Sequence, residues 1–258
     1  MGGVRTKESA ASVTARYPWR EFWVLLAAGL LGVVLVLPYQ LALLPTPPIP
    51  LPVLVVAAIT QSAILLAVAV GVGLAAARSV GLRAPLVEAW LYGSDARGAL
   101  RALQLPLAIA LGIASSLAVV GLELALFRPL IPELASLSRA ATPERWQGLL
   151  ASFYGAIDEE LLTRLFLVSG FAWLLSRVLR RSTALWMAIG VSAVLFGLGH
   201  LPAAAALLPL TPALVMRDVI LNGIPGAVFG WLYWRRGLEA AMVAHFSADL
   251  MLHVVIRA

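Results

Sequence analysis

Cysteine is absent from this chain. Disulfides, thiolate metal sites and cysteine nucleophiles are excluded with it. Charge is scarce: 12% of the 258 residues are Asp, Glu, Lys or Arg, against about 25% in ordinary soluble domains. Histidine occurs three times, so imidazole chemistry has few places to be. There is no internal repeat, no low-complexity tail and no period-two alternation of the kind a strand shows. What fills the space is apolar: 61% of residues are hydrophobic, and the mean hydropathy is +0.93. This composition excludes a disordered chain and an ordinary soluble globule. The net charge of +6 does not call for nucleic acid, because Lys and Arg in cytoplasmic loops account for it in a membrane protein.

A bilayer core needs about 20 apolar residues per helix. Seven stretches meet this, at roughly 21–44, 53–77, 102–127, 147–175, 183–201, 212–234 and 238–256. Lipid demands internally satisfied backbone, so they are read as helices. The expected fold is an all-α, polytopic transmembrane bundle of about seven spans, six to eight, in the cell membrane. The first 20 residues are polar and basic, and the apolar run after them is too long for a signal peptide, so it is read as a retained span. Pro45, Pro47, Pro48, Pro50 and Pro52 break the helix between the first two spans. Residues 78–101 are charged and aromatic and read as an amphipathic linker along the membrane surface, with Trp90 and Tyr92 at headgroup level. The chain is thereby divided into 1–101 (tail, two spans and linker) and 102–258 (core).

Thr142-Pro143-Glu144 reads as a helix start, with Thr142 as N-cap. From there a helical pattern runs to about Arg180. At 1.5 Å per residue that is roughly 57 Å, too long for one span. The helix is therefore expected to tilt, to begin partly buried, or to break near Gly155. Lys and Arg are biased toward the N-terminus and the loops after the second, fourth and sixth spans. This places the N-terminus in the cytoplasm and the C-terminus outside. The Glu159 end of its span then faces outward.

An ionised side chain at mid-bilayer costs about 2.5–3.5 kcal/mol on insertion scales and is kept only where it pairs, faces a cavity or has a function. Three groups of such residues occur. In Asp158-Glu159-Glu160-Leu161-Leu162-Thr163-Arg164, Glu160 and Arg164 are four apart and share a helix face. Glu159 is expected to point about 100° away, without a local cation. The plain alternative is a solvated helix end. In Phe196-Gly197-Leu198-Gly199-His200, two glycines permit close approach, and Pro202 is expected to end the helix near His200. Taken alone, His200 would be an ordinary helix-end histidine. In the last span His245 and Asp249 are four apart and share a face, as in a simple interhelical hydrogen bond or a proton relay. Gathered in a bundle core, these groups suit either hydrolysis by an activated water or zinc held by Glu159, His200 and His245. HExxH is absent.

The three motifs in order, EExxxR (Glu159, Glu160, Arg164), FxxxH (Phe196, His200) and HxxxD (His245, Asp249), resemble those of the CPBP intramembrane proteases. That group includes the CAAX prenyl-protein endopeptidases and the bacteriocin-processing and immunity (Abi) proteins. The resemblance covers roughly residues 100–258. It implies a glutamate-dependent endopeptidase that needs no cofactor, with zinc the alternative, acting on a peptide or protein substrate in the lipid membrane, either a prenylated tail or a leader peptide. By carry-over, Glu159 would activate water with His200, Glu160 and Arg164 would pair, and His245 and Asp249 would bind the oxyanion. Phe196 would pack beside the water. The CAAX-processing members carry Asn where Asp249 stands. An amide donates to an oxyanion and an ionised carboxylate does not, so Asp249 must be protonated or must orient His245. A membrane scaffold or immunity protein that keeps the motifs only to hold its bundle is the non-enzymatic alternative.

Three further groups read as interfacial: Arg217, Asp218 and Asn222 at the start of the sixth span (with a cavity-facing position the alternative for Asp218 and Asn222, which share a helix face), the isolated Glu123, and His253. The tryptophans fall mostly near span ends, as in an aromatic belt.

Overall fold

A computed structural model describes residues 17–43, 49–134 and 143–256. All regular structure among them is helical. Helix α1 is Trp19–Leu43 and α2 is Leu51–Val80. Gly81, at φ +70°, ends α2 in the left-handed conformation that glycine adopts without penalty. The expected surface linker is two short helices, α3 (Pro85–Tyr92) and α4 (Ala96–Leu103). Asp95 caps α4 by accepting from the Gly98 N–H at 2.9 Å. Trp90 and Tyr92 are exposed. Helix α5 (Leu105–Leu122) runs on through a π-helical turn at Glu123–Phe127.

The charged motif lies on α6 (Arg145–Tyr154), which continues through π-helical segments Gly155–Glu159 and Leu161–Val168 into α7 (Ser169–Leu175). Its N-cap is Glu144, whose N–H donates to the Gln147 side chain at 2.7 Å. The expected cap, Thr142, lies outside the described residues, as do Pro45, Pro47 and Pro48 of the proline-rich turn. The helix does not break at Gly155; it widens there into i→i+5 bonding. The remaining helices are α8 (Arg181–Gly199), α9 (Leu201–Ala205), α10 (Pro212–Arg236) and α11 (Leu238–Asp249), the last extended by a π segment, Leu250–Ile256.

Six of these stretches are long and apolar enough to cross a membrane: Trp19–Leu43, Leu51–Val80, Ala96–Leu130, Arg181–Ala205, Pro212–Arg236 and Leu238–Ile256. The α6–α7 rod is not one of the six. Asp158, Glu159, Glu160 and Arg164 lie within it, and π segments divide it. It packs in the middle of the bundle, between α1 and α2 on one side and α8 and α11 on the other. The core that holds it is apolar, with Leu66, Leu161, Leu165, Leu185, Phe229 and Tyr233 buried. On the outside α2 presents Val56 and Ile64, fully apolar and exposed, the face that lipid covers.

Candidate active site

The three consecutive carboxylates of the motif helix take three different environments. Asp158 is buried and turns toward α1, where Gly32 leaves room for it; a Cβ at Gly32 would overlap its carboxylate. Neither Asp158 oxygen has a protein hydrogen-bond partner among the described residues. Glu160 is fully buried and pairs with Arg164 at 2.9 Å, as the four-residue spacing predicts. Glu159 alone of the three lines a cavity, with 23% of its side chain exposed.

Glu159 faces the cavity while Glu160 is buried on Arg164, and among the described residues no Arg or Lys pairs with Glu159, yet the two glutamates share a histidine. His245 enters from α11 between the two glutamates. Its Nδ1 meets Glu160 Oε1 at 2.7 Å and its Nε2 faces Glu159 Oε2 at 3.5 Å. Two things bring this about. The wider π turn changes the angular step between successive side chains, and a ring inserted edge-on offers one nitrogen to each side. Asp249, one helical turn on, places Oδ1 3.6 Å from the same Nε2. The residue that orients His245 through its other nitrogen is therefore Glu160, where Asp249 was the expected candidate.

Gly155 makes this approach possible. A side chain there would begin inside the contact distance of Asp249 Oδ2 and 3.1 Å from His245 Nε2. Only glycine lets the motif helix press this closely against α11. In the sequence the same glycine is one of three ways to accommodate an over-long helix, as the place where it could break.

Arg164 is 1% exposed, and its surroundings meet its charge on several sides. Besides Glu160, it donates to the Gly226 carbonyl at 2.9 Å and to the Thr163 hydroxyl. Its guanidinium lies 5.2 Å from the Phe196 ring centroid and 5.4 Å from that of Phe229. Phe229 also packs on His245, with ring centroids 4.9 Å apart. Phe229 carries no signal in the sequence beyond being apolar.

His200 ends α8. Its Nδ1 lies 2.8 Å from the Phe196 carbonyl, and the two rings pack edge to face at 4.8 Å. A carbonyl only accepts, so this contact assigns the proton to Nδ1 and leaves Nε2 as the free lone pair of the neutral ring.

One cavity of about 600 Å³ is lined by Glu159, His200, His245, Asp249 and Phe196 together. The motifs from three distant stretches of sequence thus meet around one space. Tyr39 of α1, Ser116 of α5 and Tyr154 also line it, none of which stood out in the sequence. Arg217, Asp218, Asn222 and His253 line it as well; for Asp218 and Asn222 this is the alternative position, and Arg217 and His253 had read as interfacial. Arg217 reaches Asp218 at 2.9 Å despite adjacency along the helix, and Glu123, which had read as isolated, at 2.8 Å. His253 packs edge to face on Tyr39. Among the described residues no group of three or more His, Asp or Glu side chains is disposed to hold a metal ion.

Residues 141–251 match the family model of type II CAAX prenyl endopeptidases, Rce1-like, a branch of the CPBP family. The matched segment contains all three motifs. No curated protein and no solved structure matches the chain.

Proposed function

We propose that this Rce1-like membrane protein hydrolyses a peptide bond with a water activated by Glu159 and His200. Glu159 takes a proton from the water while the His200 Nε2 lone pair accepts the water's other hydrogen. The hydroxide adds to the scissile carbonyl. The oxyanion that forms receives a hydrogen bond from His245, whose imidazolium donates at Nδ1 to Glu160 and at Nε2 into the cavity. Asp249, as the neutral acid, offers a second donor beside that Nε2. Glu159 then passes its proton to the departing amine as the C–N bond breaks. The observation that carries this reading is the meeting of Glu159, His200, His245 and Asp249 in one cavity, with His245 held between two glutamates.

The test uses purified protein in proteoliposomes with a fluorogenic peptide panel that includes prenylated CAAX peptides. Wild-type cleavage is expected, and loss of it in Glu159→Gln at unchanged melting temperature. Cleavage by Glu159→Gln at the wild-type rate rejects the mechanism. Equal loss of stability and of signal in this variant makes the motifs a scaffold. Chelators are expected to leave the rate unchanged. Stoichiometric zinc that leaves together with activity would assign Glu159, His200 and His245 as zinc ligands instead.

Asp249 separates two versions of the oxyanion site. If it acts as a neutral donor, Asp249→Asn keeps most of the activity and Asp249→Ala loses it about 10²-fold. Loss in both variants would require an ionised carboxylate.

A further inference from the structure

The two ends of the bundle differ in charge, and the cavity belongs to one of them. Contacts among helix ends define the first. Arg78, in the last turn of α2, pairs at 2.7 Å with Glu21, in the first turn of α1. Arg181, at the start of α8, donates to the Val80 carbonyl at 2.8 Å. Glu239, at the start of α11, accepts from the Leu86 and Val87 N–H groups of α3 at 2.8 and 2.9 Å. The starts of α1, α8 and α11 and the ends of α2 and α10 therefore share one end, together with α3 and α4. Of the fourteen described arginines, ten belong to this end, three (Arg128, Arg145 and Arg217) belong to the opposite end, and Arg164 lies inside.

The cavity extends toward the opposite end. Tyr39 near the end of α1, Leu207 after α9, Arg217 near the start of α10 and His253 near the end of the last helix all line it. Loops rich in Lys and Arg stay in the cytoplasm. The short connections of the arginine-rich end are of the kind to which that rule applies.

The lining fits poorly with a free C-terminal carboxylate. Among the described residues, both guanidinium groups near the cavity are already paired, Arg164 with Glu160 and Arg217 with Glu123 and Asp218. Glu159 and Asp218 supply carboxylates along its wall.

We propose that the cavity opens on the non-cytoplasmic face of the membrane and takes an internal segment of an exported or membrane-anchored polypeptide displayed on that face, not a cytosolic C-terminal tail. The cleavage itself rests on the function proposed above; the topology stands independently of it.

The chain has no cysteine, so any introduced thiol reports its own position. Leu210 and Ala206 are exposed at the cavity end, and Val178 and Ser94 are exposed at the arginine-rich end. Full-length single-cysteine variants at these four positions are expressed in the inner membrane of a bacterial host and treated with a membrane-impermeant maleimide. Leu210→Cys and Ala206→Cys are expected to label in spheroplasts. Val178→Cys and Ser94→Cys are expected to label at least tenfold less until the membrane is permeabilised. The reverse pattern, or equal labelling of both pairs from outside, overturns the proposal. Two positions per end, each normalised to labelling after permeabilisation, guard against a variant that inserts badly.

In proteoliposomes sorted by Leu210→Cys labelling, an added peptide is expected to be cut only where the Leu210 end faces it. Cutting from the Val178 end overturns the assigned access. Cutting from neither end, with the labelling pattern intact, defeats the hydrolase reading while supporting the topology.

Discussion

Two guanidinium–carboxylate clusters flank the same cavity at different depths. The inner one, Glu160 with Arg164, is 0% and 1% exposed and is closed off by Phe196, Phe229, the Gly226 carbonyl and His245. The outer one, Arg217 with Glu123 and Asp218, keeps a quarter of its arginine side chain exposed. Burial changes what the same chemistry does. A buried pair contributes little net stability, because desolvation offsets attraction, yet losing one partner costs about 3–5 kcal/mol. A pair that water still reaches is worth about 0–1 kcal/mol. The inner cluster therefore fixes geometry: it holds Glu160 where it can grip His245. The outer cluster sets the charge at the cavity's end and can be altered at small cost. Glu159 stands between these regimes, part-exposed and next to the inner cluster without belonging to it.

The largest effect is expected where that position is used. Glu159→Gln keeps shape and removes the proposed base, so peptide cleavage should fall about 10²–10⁴-fold, with stability changed by no more than about 0.5 kcal/mol. Single-turnover kinetics beside thermal melting in detergent check both halves. Glu160→Ala should invert the pattern. It strands Arg164 and should cost about 3–5 kcal/mol of stability, read as a fall in melting temperature before any assay of cleavage. If both variants behaved alike, the distinction between the two glutamates would fail.

That distinction is invisible at the level of spacing. The four-residue interval of Glu160 and Arg164 is enough to pair them, because i,i+4 neighbours meet on nearly any helix. The long apolar runs are enough for a helical bundle, because lipid permits little else. The order of the three motifs points to their meeting in space. Three other features depend on information no local pattern carries. Where a helix turns from α to π decides which way Glu159 faces, and no Pro or Gly pair marks that change here. The pairing of Glu123 with Arg217 spans 94 residues and depends on how α5 lies against α10. Which nitrogen of His245 meets which acid depends on the angle at which α11 enters. Thr142-Pro143-Glu144 reads well as a helix start, yet the cap among the described residues is Glu144, because a Gln three positions on can answer its N–H.

Between the strongest and weakest effects lies the glycine that lets the helices meet. Gly155→Ala inserts one methyl group against Asp249 and His245. Overpacking of this kind costs about 1–3 kcal/mol. The loss should appear as a moderate drop in melting temperature together with a larger loss of cleavage, since the displaced atoms are those that face the proposed oxyanion. A variant as active as wild type would mean that α11 can retreat without consequence, and the close contact would then be packing alone.

The smallest effect should come from the outer cluster. Arg217→Gln leaves Glu123 and Asp218 without their cation; Asp218 is itself buried, but the arginine is a quarter exposed at the cavity wall, so stability should change by less than at the inner cluster, about 1–2 kcal/mol. Its signature is electrostatic instead. The cavity becomes more acidic by one charge, so peptides with basic residues near the cleaved bond should gain relative to acidic ones, and the preference should shrink as salt is raised. Ratios of kcat/KM for paired peptides at low and high ionic strength measure this. A loss of several kcal/mol on the same substitution would show that the outer cluster is as structural as the inner one, and that depth along the cavity does not separate their roles.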